Sequence, residues 1–248
     1  MGNNAIHTAQ RNIYNIFDSV NNQGDDLGLD QVYLDFYHDA KVFLGHRIFK
    51  DYLRRFAYGI DASCYRYIPK LVIWAHTEEE IQKIFALSHK YKLALTFRAA
   101  GTSLSGQASS QSVLVVCNNI HWKNISLVFD LGNSHNPSDT GLAHSHQADT
   151  SANTSTYASA NKTAQPNAPV SIWCDCGVIG ADANLALKAY QRKIGPDPAT
   201  INNALIGGIF SNNSSGMCCG VKQNSYQTIK SIRVILSDGY ILDTSSEQ

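Results

Sequence analysis

Apolar residues between Leu29 and Phe43 recur at Leu29, Val32, Tyr33, Phe36, Tyr37, Ala40 and Phe43, the period of an amphipathic helix. The same spacing predicts a second helix over about 46–58, with Phe49, Tyr52, Leu53, Phe56 and Ala57 on one face. Arg54 and Arg55 then fall on the solvated side. Leu71–Trp74 is a short apolar run, read as a strand. Thr77 stands three residues before Glu80, a capping box that opens a helix with Ile81, Ile84, Phe85 and Ser88 inward. Leu93–Phe97, Val113–Val116 and Ile125–Phe129 predict three further strands. Strands alternating with helices argue for an α/β or α+β domain and against a helical bundle.

Residues 130–169 break this rhythm. They are rich in Ser, Thr, Asn, Ala and His, with almost no large apolar side chain. Such a segment cannot bury enough surface to offset its ordering entropy, which predicts a disordered insertion. A sheet tolerates one, because closing a longer loop costs only about 0.6 kcal/mol per doubling of length. His135, His144 and His146 lie within it, but no Cys or carboxylate accompanies them at ligand spacing, so they read as polar filler and not as a metal site. Order resumes where Val170, Ile172, Cys174 and Cys176 alternate with polar or aromatic neighbours, the period of a half-buried strand. Ala181–Tyr190 is helical in pattern. A long Gly, Pro, Asn and Ser-rich loop follows from Gly195 to Gly220. Ile229–Leu236 and Tyr240–Leu242 flank a Ser-Asp-Gly turn and predict a hairpin.

Composition narrows the function. The chain has 248 residues, 44% of them hydrophobic, and balances 20 basic against 20 acidic side chains. A phosphate-backbone binder needs a basic excess, so nucleic acid is not an expected partner. No run approaches the roughly 18 apolar residues that span a bilayer. The start, MGNNAIHTAQRN, lacks the layout of a secretory signal, and Ile6 stands where myristoylation favours Ser or Thr. Six cysteines are too sparse in a chain of this length for a disulfide framework. A cytoplasmic chain with reduced thiols is expected.

Two glycine-rich loops carry the candidate chemistry. In Arg98-Ala-Ala-Gly-Thr-Ser-Leu-Ser-Gly106, small residues directly after a strand let several N–H groups converge on one anion. Thr102, Ser103 and Ser105 add hydroxyls, and a pyrophosphate suits such a nest. Gly101 and Gly106 have Walker A spacing, yet Gln107 and Ala108 stand where Lys and Ser/Thr are needed, so a nucleotide hydrolase is disfavoured. No G-x-G-x-x-G occurs, which removes a Rossmann fingerprint. The second loop, IGPDPATINNALIGGIFSNNSSGMCCG, is stiffened by Pro196 and Pro198, while Gly207 and Gly208 allow close backbone approach. Two such loops about a hundred residues apart suit one extended ligand held between them.

TFRAAGTSLSGQ, RKIGPDPATINNALIGGIFSNNSSGMCCG and SIRVILSDGYILDT closely resemble the FAD-binding domain of flavin-dependent D-lactate and D-2-hydroxyacid dehydrogenases, within the vanillyl-alcohol-oxidase-like flavoproteins. The nearest branch is the large bacterial enzymes that join an FAD domain to an iron–sulfur domain. The resemblance implies an α+β fold, a PCMH-type FAD-binding domain of two α/β subdomains, preceded by a short helical N-terminal segment. The implied bounds are 1–60 for that segment and 61–245 for the FAD domain, with subdomains at about 61–120 and 121–245. It further implies that the first loop wraps the FAD pyrophosphate through Arg98, Ala99, Ala100, Gly101, Thr102 and Ser103, completed by Gln107 and Ala108. Pro196, Asp197, Ala204, Gly207 and Gly208 would line the flavin and ribityl chain, joined by Asn212, Ser214 and Gly216. A main-chain contact to the adenine end would come from near Ile232.

The implied reaction oxidises a D-2-hydroxyacid to the 2-oxoacid by hydride transfer to flavin, with the protein supplying orientation and electrostatics. Cys218-Cys219-Gly220 reads as this branch's loop beside the isoalloxazine ring, with covalent flavin attachment as an alternative. An iron–sulfur cluster would need about four converging thiolates. Tyr65 and Arg66 read as structural or flavin-adjacent, and no catalytic residue is assigned. Relatives continue after DGYILDT into a substrate-binding cap and then an iron–sulfur domain. The expectation is therefore a chain inactive by itself, completed in cis or by another subunit. A cytoplasmic location, or one peripheral to the inner face of the membrane, is expected for the whole enzyme. The alternative is a non-catalytic flavin-binding module.

Overall fold

The computed structural model describes residues 29–118, 120–129 and 169–245. The expectations for the extreme N-terminus and nearly all of the 130–169 insertion, its three histidines included, lie outside them. Helix α1 (Gln31–Leu44) is followed by a single 3-10 turn, a two-residue strand β1 (Ile48–Phe49) and a short helix α2 (Tyr52–Ala57). Strand β2 (Leu71–Trp74), helix α3 (Glu78–Tyr91), strand β3 (Leu95–Arg98) and strand β4 (Val113–Val116) come next. The sheet order is β1-β2-β4-β3, with β2, β4 and β3 parallel and β1 antiparallel at one edge.

The apolar runs explain the middle of this sheet. Strands covered on both faces read as continuous hydrophobic stretches, and all of Leu71–Ile73 and Val113–Val116 is buried. Alternation divides them: Leu71, Ile73, Val113 and Val115 pack with Phe36, Ala40 and Leu44 of α1 and Ile81 and Ile84 of α3. Val72, Leu114 and Val116 face the other way, onto Phe49, Tyr58 and Trp74. α1 and β1 thus share the core and sheet of the residues that follow.

The remaining strands make two antiparallel pairs. Strands β5 (Ile125–Val128) and β6 (Ser171–Cys174) join Ile125 to Cys174 and Val128 to Ser171. Helix α4 (Gly180–Leu187) follows. The long loop contains helix α5 (Ile206–Ser211), which its Gly and Asn content does not announce, and helix α6 (Ser225–Thr228) comes after it. Strands β7 (Arg233–Ile235) and β8 (Ile241–Asp243) form the expected hairpin. No helix of the described residues is long and apolar enough to cross a membrane.

One expected face is inverted. The second predicted helix begins only at Tyr52, because Ile48 and Phe49 pair with Ile73 and Val72. Tyr52, Leu53 and Phe56 are exposed, whereas Arg55 is buried, its Nε donating to the Pro69 carbonyl at 2.7 Å. A six-residue helix has two opposed stripes, and a buried carbonyl that needs a donor decided between them.

The predicted cap on α3 forms, with Thr77 Oγ1 accepting from the Glu80 N–H at 3.3 Å. The Glu80 carboxylate departs from a standard box. It accepts from the His76 N–H at 2.8 Å and from both Arg47 guanidinium nitrogens. His76 stacks on His121 with ring centroids 3.4 Å apart. Burial, then the nearby Arg47 and His121 charges, lower His76 to about 4, against a partial opposing pull from Glu80.

Two outcomes follow from these contacts. Arg55→Ala removes a charge-assisted hydrogen bond and is expected to cost about 1–3 kcal/mol in urea unfolding. Leu53→Ala, at an exposed position, should stay within about 0.5 kcal/mol of the parent. His76 is held neutral by the fold. Its contribution to stability is therefore complete above its unfolded value near 6.5 and is lost as pH falls from there through about 4. An NMR titration should find its midpoint near 4, and His76→Gln should flatten the fall in melting temperature over that window.

Candidate functional site

Strand β3 ends at Arg98 and releases the chain into the first glycine-rich loop, at the same end of the parallel sheet as the β4 exit at Cys117. Gly101 and Gly106 adopt φ of 74° and 82°, left-handed values that the turn requires and that glycine accepts without strain. Among the described residues, no group accepts a hydrogen bond from the main-chain N–H of Ala100, Gly101, Thr102 or Ser103. Consecutive unpaired amides in such a bend form an anion-binding concavity.

The loop is held from beneath. Arg98 Nη1 donates to the carbonyls of Ile60 at 2.6 Å, Ala108 at 3.3 Å and Tyr58 at 3.4 Å. Burial shifts the guanidinium below its ordinary range, although it stays cationic. The Ala62 N–H donates to the Gly101 carbonyl at 3.0 Å. The Ser103 hydroxyl donates to Gln107 Oε1 and accepts from the Ser105 N–H, so it fixes the loop.

The second loop is built on α5. The Ile206 and Gly207 amides donate to the Val178 and Cys176 carbonyls, both at 2.8 Å, which seats the helix on the segment after β6. A Cβ added to Gly207 would stand 2.8 Å from the Cys176 Cβ, and one on Gly208 would meet the Ala99 Cβ at 3.3 Å. The two glycine-rich loops therefore face one another across a narrow gap. At the far side, the Asp197 N–H donates to the Ser215 carbonyl at 2.8 Å and closes the loop into a neck. Gly216 there has φ 135°, and its Cβ would lie 1.7 Å from the Asp197 carbonyl oxygen.

Between the loops lies a cleft of about 1050 Å³. Arg98 to Ser103, Gln107 and Ala108 line it, as do Ala204, Gly207, Gly208, Asn212 and Ser214. Pro196, Asp197 and Gly216 do not, and Asp197 and Gly216 meet in the neck. Ile232 is also outside, its N–H donating to Thr244 Oγ1 at 2.9 Å, while Arg233, Val234 and Ile235 reach the cleft in its place. Sequence reasoning missed the apolar side chains Phe85, Phe97 and Trp173 on the walls. It also missed Glu78, whose carboxylate accepts from Nε and Nη2 of Arg233, both at 2.8 Å. Phe85 packs against the core, as its helical period predicts, and also reaches the cleft, while nothing in the local pattern of Trp173 marks it as a wall.

A dinucleotide carrying a flat ring fits these residues. The volume lies at the upper end of small-molecule sites, the free amides suit a pyrophosphate, and uncharged loops with aromatic walls suit a ring system. The described residues contain no group of three or more His, Cys, Asp and Glu able to hold a metal ion.

The chain matches the family described as FAD binding domain over residues 69–129 and 151–245. It is 24% identical over 222 residues to D-2-hydroxyglutarate dehydrogenase of Escherichia coli K12, covering 88% of this chain and 18% of that protein. D-2-hydroxyglutarate dehydrogenase of Haemophilus influenzae is 22% identical over 223 residues, with the same coverage. The chain thus spans under a fifth of the length of either relative. Among solved structures, alkyldihydroxyacetonephosphate synthase shares the fold with a TM-score of 0.59 at 16% identity, over 87% of this chain and 36% of that one.

The neck can be tested by itself. Gly216→Ala meets both a disfavoured φ and a backbone oxygen, and is expected to lose more stability than the roughly 1–3 kcal/mol of the backbone conformation alone, and more than Gly220→Ala. Gly220→Ala, with φ 53° and open space around it, should lose only about 1–2 kcal/mol. Chemical denaturation of both variants reads the difference.

Proposed function

We propose, for a chain that belongs to the FAD binding domain family and has the PCMH-type α+β fold, that it is the cofactor-holding part of an oxidoreductase that converts a D-2-hydroxyacid to the 2-oxoacid. FAD is its cofactor. The observation that carries the reading is the facing of the two glycine-rich loops across one cleft, with the Ala100–Ser103 amides free. The relatives' D-2-hydroxyglutarate supports the class of substrate, of which D-lactate is a smaller member.

The residues divide the work. The amides of Ala100, Gly101, Thr102 and Ser103 bind the pyrophosphate of FAD, with Arg98, Gln107 and Ala108 shaping the loop. Ala204, Gly207, Gly208, Asn212 and Ser214 hold the flavin and ribityl portion, while Pro196, Asp197 and Gly216 support them as the neck. The Ile232 position contributes through its neighbours Arg233 to Ile235. The bound group supplies the hydride acceptor; the protein orients it and excludes water. We divide the FAD domain, 61–245, into subdomains of about 61–120 and 121–245, braced by the helical segment before it. The substrate pocket and onward electron transfer belong to a cap and an iron–sulfur domain outside these residues, in cis or on another subunit. The present chain should not turn over substrate alone. We place the whole enzyme in the cytoplasm or at the inner face of the membrane.

Titration of the purified chain with FAD should give a one-to-one endpoint and a yellow protein; absence of binding by folded protein refutes the reading. Gly208→Leu, which fills the gap toward Ala99, should weaken FAD binding by about tenfold or more, equal to about 1.4 kcal/mol. With the remaining domains supplied, a D-2-hydroxyacid should bleach the flavin absorbance and its L-enantiomer should not. Binding without bleaching by any D-2-hydroxyacid would identify a non-catalytic flavin module.

A further inference from the structure

The cleft wall carries two thiols that the proposed chemistry does not use. Cys117 directly follows β4, and its N–H donates to the Arg98 carbonyl at 3.0 Å, at the root of the first glycine-rich loop. Cys176 follows β6, and its carbonyl accepts from the Gly207 N–H at 2.8 Å, in the helix that carries the second loop. The two segments run so close that a Cβ on Gly177 would lie 2.5 Å from the Asn118 carbonyl oxygen. Across this contact Cys117 and Cys176 are neighbours whose thiols perturb one another, and both line the cleft.

We propose that Cys117 and Cys176 form a reversible, hydroperoxide-sensitive disulfide that ties together the roots of the two glycine-rich loops. A disulfide needs Cα atoms within about 7 Å, and these two cysteines each adjoin a residue of the Asn118–Gly177 main-chain contact. Cys176 is exposed and is the attacking member. The interaction with Cys117 holds its thiol below the ordinary range, while the same interaction and burial push Cys117 up. The Cys176 thiolate attacks one hydroperoxide oxygen; the O–O bond breaks and the other oxygen leaves, taking up a proton, to give a Cys176 sulfenic acid. The Cys117 sulfur then attacks that sulfur, the S–O bond breaks and water leaves with the Cys117 proton. Two thiols lose two electrons, and the hydroperoxide is reduced by two. A dithiol reductant reverses the bond by exchange. Cys174 on the same wall stays a thiol, because burial raises it to about 11.

The disulfide stands apart from the FAD reading; only its effect on cofactor exchange rests on that reading. The full chain is treated with hydrogen peroxide, alkylated under denaturing conditions and mapped by mass spectrometry. A Cys117–Cys176 cross-linked peptide, two hydrogens lighter, is expected; dithiothreitol should reverse it, and it should persist in Cys174→Ser. Cys117→Ser and Cys176→Ser should each abolish it while melting, when reduced, close to the parent. Amide hydrogen exchange over residues 99–108 and 204–216 should slow about tenfold in the oxidised parent and in neither variant, and FAD release should slow comparably. Absence of the cross-link, or a bond through Cys174 in its place, overturns the proposal. A cross-link that leaves loop exchange unchanged overturns the tying role. A chain that forms the cross-link and slows its loops but binds no FAD refutes the cofactor reading alone.

Discussion

The amides of Ala100, Gly101, Thr102 and Ser103 are the constraint around which the structure is arranged. A main-chain N–H without a partner is destabilising unless water or a ligand accepts from it, so four in succession persist only where the fold holds the bend open. Here the support is local and hydrogen-bonded. The loop leaves a strand paired with the fully buried β4, Arg98 at its root ties it to the carbonyls of residues 58, 60 and 108, and Ser103 closes it internally through Gln107. These bonds engage the side chains of Arg98 and Ser103 and leave the amides of residues 100–103 unpaired on the cleft wall.

The opposite wall is positioned by main-chain bonds of a different kind. Helix α5 is too short to be stable from propensity alone, yet its first turn donates into the segment after β6, and Ser225 Oγ lies 3.0 Å from both the Ile209 and the Ser214 carbonyls. The hairpin that completes the cleft reaches α3 through Arg233 with Glu78, Gln82 Nε2 with the Gly239 carbonyl, and His89 with the Ser237 carbonyl. These polar contacts are partly or fully solvent-exposed, and such ion pairs contribute little stability. Two walls are therefore rigid at the roots of their loops, and the third is attached mainly along a helix face.

What could be read from the amino acids follows how local each interaction is. β2 and β4 were legible because burial on both faces makes Leu71–Ile73 and Val113–Val116 continuous apolar runs. Thr77 and Glu80 marked the start of α3, though the pull of Arg47 on the Glu80 carboxylate was not visible. The loops announced themselves by small residues in bulk, and this is also why the reading blurred within them. Gly216 and Gly208 look alike in sequence, but one lies against a backbone oxygen in the neck and the other keeps the cleft open. Ile232 illustrates a shift of one residue: its amide is taken by Thr244, so the strand presents Arg233 to Ile235. Arg55 was misplaced because the Pro69 carbonyl it satisfies arrives from a later segment. Cys117 and Cys176 gave no signal as a pair, since only the folded cleft brings them together.

Both arginines of the cleft are already engaged. Arg98 donates to three carbonyls, and Arg233 is held by Glu78 and Asp243, which raises its guanidinium above the usual range. Neither is arranged as a free cation reaching into the gap. Attraction for an anion therefore falls to fixed amide dipoles, which need no reorganisation when charge arrives and act over short range. This accords with a chain of zero formal net charge, which generates no long-range field to gather anions in general. In the proposed reading, selection then depends on shape: the diphosphate lies against residues 100–103 while the ring lies between loops that glycine permits to approach closely. A free phosphate satisfies the first requirement and not the second, and an apolar ring the reverse, so the cleft favours a molecule that joins the two.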